Sequence, residues 1–169
     1  MTLTNLQNVI TKHQRMVFSI ALRTIGDYGV AEEIMQDVFL ALYQTEEPFE
    51  SEDHQRLWLR RVCVHRSIDA LRKRNRQPEI SAEGWSVDGY DAAQARNTPM
   101  ALEARMEHLL QALPENMRIA LVLRYQEDLS PREIAQTLLQ PLDSVKSNLK
   151  RGLKLLRREA DSTLKEFLR

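Results

Sequence analysis

"LSPREIAQTLLQPLDSVKSNLKRGLKLLRR", Leu129–Arg158, is the stretch whose reading decides the fold of this chain. Ser130 suits a helix N-cap, Pro131 suits the first helical position, and Glu133 completes a capping box. Ile134, Ala135 and Leu138 then share an inward face. Pro141 stops this helix and starts another, in which Val145, Leu149, Leu153 and Leu156 form one apolar stripe. Lys146, Ser147, Lys150, Arg151 and Lys154 lie off that stripe. Two short helices joined by a tight turn, the second polar and basic outside, form a helix-turn-helix pattern, whose second helix is suited to the major groove of DNA. A plain helical hairpin has the same periodicity, so the decision between them rests on the rest of the chain.

The rest of the chain is segregated by charge. Its 169 residues carry a formal net charge of zero. From Asp27 to Asp53 nine acids occur with no Lys or Arg, whereas Arg56 to Arg76 holds eight bases against Asp69 alone. Lys146 to Arg158 holds six bases and no acid. One such run is often a solvated helix face, but two separate basic segments in a neutral chain suggest two contacts with a polyanion.

Composition bounds the class. Five glycines, six prolines, 43% hydrophobic and 28% charged residues favour an all-α, globular chain. No run of about 18 apolar residues is present, and the N-terminal residues lack the order of a signal peptide. The expected location is cytoplasmic. Leu6, Val9, Ile10, Val17, Ile20, Ala21 and Ile25 mark a first helix closed by Gly26 and Gly29. A second is expected over about 30–43, with Ile34, Met35, Val38, Phe39 and Leu42 on its apolar face. A third is expected over about 54–76, with the stripe Leu57, Trp58, Val62, Ile68 and Leu71 and a break near Cys63 to His65. "QPEISAEGWSVDGYDAAQARNTP", Gln77–Pro99, has two prolines, two glycines and no helical period, and reads as a linker. The expected organisation is therefore two small helical domains, 1–76 and 101–169, joined by a flexible linker over 77–100. Helical periodicity resumes at Ala101 with Leu102, Met106, Leu109, Leu110 and Leu113, and "LPENMRIALVLRYQED" supplies a further helix.

Three stretches in this order resemble one family. "VAEEIMQDVFLALYQ" (30–44), "WLRRVCVHRSIDALRKRNR" (58–76) and the run from Ala112 to Arg157 are similar to the signature segments of extracytoplasmic-function sigma factors, within the sigma-70 family. The resemblance covers nearly the whole chain. It implies a region 2-like domain that binds core RNA polymerase and the −10 element, and a region 4-like helix-turn-helix domain for the −35 element. Core contacts on the β′ clamp would fall on Glu33, Gln36, Asp37 and Phe39, and the second domain would also sit on the β flap. The −10 DNA would meet Arg61, His65, Asp69, Arg72, Lys73, Arg74 and Arg76. The −35 DNA would meet Ser144, Lys146, Ser147, Asn148, Lys150 and Arg151. The linker would thread toward the RNA exit channel, and an anti-sigma factor is an implied partner. Three residues depart from the family pattern: His65 stands for the usual Asn, Asn148 for an Arg, and Leu139 for the Gly of the helix-turn-helix turn, which must then differ or be strained.

An enzyme finds little support. No H-E-x-x-H, G-x-x-x-x-G-K or G-x-S-x-G motif occurs, and His13, His54, His65 and His108 are scattered. The single cysteine, Cys63, reads as a buried thiol, so no disulfide, metal or cofactor is expected. The alternative function is a helix-turn-helix regulator that binds duplex DNA without polymerase. Such a regulator has no use for an acidic helix followed by a basic one in its first half.

Overall fold

The computed structural model describes residues 3–45, 49–76 and 106–167, with side chains described over 5–45, 49–76 and 106–161. Every regular element among them is helical, and the chain divides into two compact units, Met1–Trp85 and Ser86–Arg169. The linker expected over 77–100 lies outside the described residues.

The first unit is a bundle of α1 (Leu3–Ile25), α2 (Tyr28–Gln44) and α3 (Glu52–Arg76). Val9, His13, Val17, Ile20, Ala21 and Thr24 recur at three- and four-residue steps on α1 and are buried as one stripe. Gly26 ends α1 with φ 74°, and its N–H donates to Leu22 O at 2.7 Å. Asp27 starts α2 by accepting the Val30 N–H at 3.0 Å. Gly29, expected to help close α1, instead lies in the first turn of α2. The inner face of α2 is Ala31, Ile34, Val38, Phe39 and Leu42; four of the five expected positions are buried, Met35 lies half-buried at the edge, and Ala31 joins the face one turn before Ile34.

The third helix departs from its expected phase. It runs unbroken through Cys63–His65 and buries Leu59, Arg60, Cys63, Val64, Ser67 and Leu71. Leu57 is 40% exposed, and Trp58, Val62 and Ile68 are only partly covered. Leu59, Cys63, Val64, Ser67 and Leu71 share the face that is buried, and the small polar groups on it can stay there because they are satisfied: the Cys63 thiol donates to Val17 O at 3.3 Å and the Ser67 hydroxyl to Cys63 O at 2.9 Å. Trp58 packs instead edge-on against Phe49, which precedes α3, with ring centroids 5.7 Å apart. A Lys12–Glu52 ion pair joins α1 to the start of α3. At the other end Arg74 Nη1 donates to Ile25 O, a terminal carbonyl of α1, at 3.1 Å.

His13 gives this unit a pH dependence. It is 5% exposed and its Nε2 has no hydrogen-bond partner. Burial, reinforced by the Lys12 cation, lowers its pKa from 6.5. Between the folded and unfolded values the unfolded chain binds more protons, so stability rises with pH across that window. It should fall as pH drops below about 6.5 and level off below the folded value. Urea denaturation at pH 7.5 and 5.5 checks this: His13→Gln should lose less stability on acidification than the wild type, and an identical loss would exclude His13 as the source.

In the second unit α4 occupies 106–111 of the described residues, followed by α5 (Glu115–Leu121), which widens into a π turn over Val122–Gln126. Buried Arg118 donates through Nη1 to Gln111 O and Leu113 O, holding the α4–α5 turn. After the π turn, Leu129 N–H returns to Leu123 O at 3.1 Å and Arg124 Nη1 donates to Leu129 O, folding the chain back toward α6 (Pro131–Leu138). The capping box is formed: Glu133 N–H donates to Ser130 Oγ at 3.3 Å, and Ser130 N–H donates to Glu133 Oε2 at 2.7 Å. Helix α7 (Leu142–Phe167) then packs Leu149, Leu153, Leu155 and Leu156 against buried Leu110, Leu113, Leu121 and Val122.

The turn between α6 and α7 keeps the geometry that normally calls for glycine. Leu139 is left-handed, φ 53° and ψ 43°, and Gln140 N–H closes over it onto Ala135 O at 3.0 Å. The departure at this position is thus accommodated by strain rather than by a different turn. Leu139 is 67% exposed, so its side chain contributes little burial. Leu139→Gly should stabilise the unit by about 0.5–1 kcal/mol: relief of roughly 1–2 kcal/mol of left-handed strain, less the backbone entropy that glycine loses. A higher denaturation midpoint with an unchanged slope is the expected readout; a lower midpoint would refute the strain.

Candidate nucleic-acid interface

Three helix faces carry the residues singled out from the sequence. On α2, Glu33, Gln36 and Asp37 are exposed, whereas Phe39 is 6% exposed and packs the bundle core. Phe39 is therefore removed from the surface set, because its position falls on the Ile34–Val38–Leu42 side of the helix. The same outer surface presents Leu40 at 54% and Tyr43 at 46% exposure. Sequence reading missed both. Gln36, Leu40 and Tyr43 follow steps of four and three, a helical row outside the core stripe, and that spacing was the available signal.

On α3, Arg61, Asp69, Arg72, Lys73 and Arg76 are exposed and His65 is half-buried. Asp69, Arg72, Lys73 and Arg76 border one surface hollow, with Arg72 Nη1 3.5 Å from Asp69 Oδ1. The steps of three and four bring these four side chains together on one helix face. Arg74 differs: it is half-buried and occupied with Ile25 O, so its local task is to hold α3 against α1. Arg60, part of the same basic run, is 8% exposed and belongs to the interior. Arg66, outside the expected site, reaches across to Asp37 of α2, Nη1 to Oδ2 at 3.4 Å.

On α7, Val145 is fully buried and fixes the helix phase. Ser144, Lys146, Ser147, Lys150 and Arg151 are thereby turned outward, while Asn148 is half-buried at the edge. Arg151 Nε donates to Ser147 O at 3.4 Å. The basic residues continue beyond the expected set: Lys154, Arg157 and Arg158 line a hollow with Lys150, Arg151, Met117, Leu153 and Leu155, and acidic Asp161 lines it as well. Among the described residues no group of three or more His, Cys, Asp or Glu is placed to hold a metal ion. No helix among them is long and apolar enough to cross a membrane.

Chemically, each basic face offers guanidinium and ammonium donors on a rigid helix, suited to phosphate, with the short polar residues of α7 able to reach base edges. The chain has matches among known proteins. The family described as Sigma-70 region 2 matches residues 9–77, and that described as Sigma-70, region 4 matches residues 103–156. The ECF RNA polymerase sigma factor SigW of Bacillus subtilis is 25% identical over 162 residues, covering 90% of this chain and 87% of SigW. The RNA polymerase sigma-H factor of Pseudomonas aeruginosa is 27% identical over 171 residues, covering 95% of this chain and 86% of that protein. Among solved structures, the sigma factor RpoE in complex with the anti-sigma factor NepR, from Bartonella quintana, superposes with a TM-score of 0.70. It is 18% identical, and the match covers 92% of this chain and 96% of that one. CnrH in complex with the cytosolic domain of CnrY gives a TM-score of 0.62 at 21% identity, covering 95% of this chain and 90% of that one.

Proposed function

This chain belongs to the extracytoplasmic-function sigma factors of the sigma-70 family, and from that premise we propose how its two units share the work of binding core RNA polymerase and starting transcription at promoters. The unit holding α1–α3 binds the β′ clamp through the outer face of α2 and captures the −10 element with α3. The unit holding α4–α7 reads the −35 element with α7 and sits on the β flap. The observation that carries the division is the pairing of each family match with one basic helix face: region 2 with Arg61–Arg76, region 4 with Lys146–Arg151.

Charge and hydropathy support the same assignment. The outer face of α2 combines exposed Glu33, Gln36 and Asp37 with exposed Leu40 and Tyr43. Acidic side chains around two apolar ones suit a protein partner and repel DNA. Asp37→Arg should weaken core binding about tenfold or more, because like charges juxtaposed across an interface cost several kcal/mol. Competition for core against the wild-type chain measures it, and undiminished competition would remove Asp37 from the contact.

The protein is a non-catalytic subunit in this reading, and it acts in the cytoplasm, where polymerase and promoter are. An anti-sigma factor is a further expected partner, supported by the structural neighbour solved with the anti-sigma factor NepR. Run-off transcription with purified core polymerase on a genomic library tests the function. Specific initiation that requires both components is the expected result. Tight binding of one duplex site by the purified chain alone, without initiation, would instead favour a polymerase-independent regulator.

A further inference from the structure

Asp37 and Arg66 belong to different helices and to different jobs. Asp37 stands on the α2 face assigned to polymerase, and Arg66 on α3, the helix assigned to the promoter. Yet their side chains meet, Nη1 to Oδ2 at 3.4 Å, with Arg66 48% and Asp37 54% exposed. Seven residues separate Arg66 from Lys73, so both lie on one side of α3, two turns apart. Arg66 thus has the position of a backbone-contacting cation but is neutralised by a residue of the other interface.

Resting on the function proposed above, we propose that Arg66 is a further DNA-phosphate ligand, held in check by Asp37 in the free chain and released when polymerase engages α2. The magnitude fits an exchange. A single solvent-exposed contact is too weak to brace the bundle but comparable with one phosphate contact. Polymerase that supplies a cation to Asp37 leaves two charge pairs where there was one, so core binding and DNA binding favour each other reciprocally. The device would make the free chain a poorer DNA binder than its count of cations suggests.

The test uses the full chain and a fluorescent single-stranded DNA of mixed sequence, with anisotropy read over a salt series. Asp37→Asn should bind about two- to fivefold more tightly than the wild type, the range of an exposed ion pair, with a salt slope steeper by about 0.7. Glu32→Gln, which removes an exposed carboxylate from the same helix, controls for net charge and should gain less. In an Arg66→Gln background, Asp37→Asn should gain no more than that control. On core polymerase the roles reverse: Arg66→Gln should shorten the open-complex lifetime about two- to fivefold, the same pair energy now lost from DNA. Equal gains from Asp37→Asn and Glu32→Gln, or a gain that survives Arg66→Gln, would overturn the proposal. Initiation by the wild-type chain is scored in the same preparations. Its absence would count against the sigma reading, while the oligonucleotide comparison would still decide the ion pair.

Discussion

Lys146→Ala should lower initiation from promoters bearing the preferred upstream element by about 5- to 150-fold, the equivalent of roughly 1–3 kcal/mol for one base-reading side chain. Lys146 directly follows fully buried Val145 in the first turns of α7, where a recognition helix meets base edges. Its own side chain is exposed, so the fold should survive the change. Arg151 lies further along and leans on the backbone at Ser147 O. Arg151→Ala should weaken all promoters similarly and reduce the salt slope by about one, as expected for a phosphate contact. Arg72 of α3, exposed beside Asp69, should have the opposite profile. Arg72→Ala should leave upstream preference intact and impair open-complex formation. Permanganate footprinting on duplex and pre-melted templates separates the three. If the first unit does the strand capture, pre-melting the −10 region should make the two α7 variants indistinguishable from wild type. The same defect at the same step for Lys146→Ala and Arg72→Ala would dissolve the proposed division of labour.

Gly152→Val should destabilise the second unit by about 1–3 kcal/mol, the usual cost of overpacking a filled contact. Glycine in a helix interior costs about 1 kcal/mol relative to alanine, so its place in the middle of α7 calls for a packing reason. The reason is proximity to α5. A Cβ at Gly152 would stand 3.0 Å from Met117 Cβ and 3.1 Å from Leu121 Cδ1. Met117 Cβ is tied to the α5 backbone and cannot swing aside as a side-chain tip can. Valine adds two further methyls there, forcing α7 away from α5 and shifting the residues proposed to face DNA. Gly152→Ala should be close to neutral, since a displacement of a few tenths of an ångström is offset by better helix propensity. Urea midpoints compare the two variants, and equal stability of Gly152→Val and the wild type would contradict the close approach. Stability totals only several kcal/mol in a domain of this kind, so a loss near 3 kcal/mol would also lower the population of the folded unit.

Much of the candidate site could be read from the chain because the signals were local. Ser130, Pro131 and Glu133 act within one helical turn, so their capping chemistry is complete in the sequence. The phase of α7 follows from Val145 and the leucines after it, which is why the outward set Lys146, Ser147, Lys150, Arg151 and Lys154 was recovered. Charge segregation likewise needs only order along the chain. The phase of α3 was misjudged where burial depends on partners: Cys63 is buried as its reading as a thiol in the core expected, but Leu57 looks like a core residue and is exposed, while Ser67 is buried with its hydroxyl satisfied by Cys63 O.

The sequence by itself thus determined the class, the order of the helices, the start of α6 and the family. Each of these rests on propensity, periodicity or motif spacing, which act over a few residues and need no knowledge of neighbours in space. Tertiary structure alone decided which basic residues are free to act. Arg74 is occupied by the end of α1, Arg60 is withdrawn into the bundle, and Arg66 is paired with Asp37, 29 residues away in the chain. It also decided that Leu139 bears left-handed strain and that Gly152 marks a close crossing of α5 and α7. A cation has no fixed role until its surroundings set its partner and its exposure to water. Those surroundings come from helices remote in sequence, and only their packing brings them together.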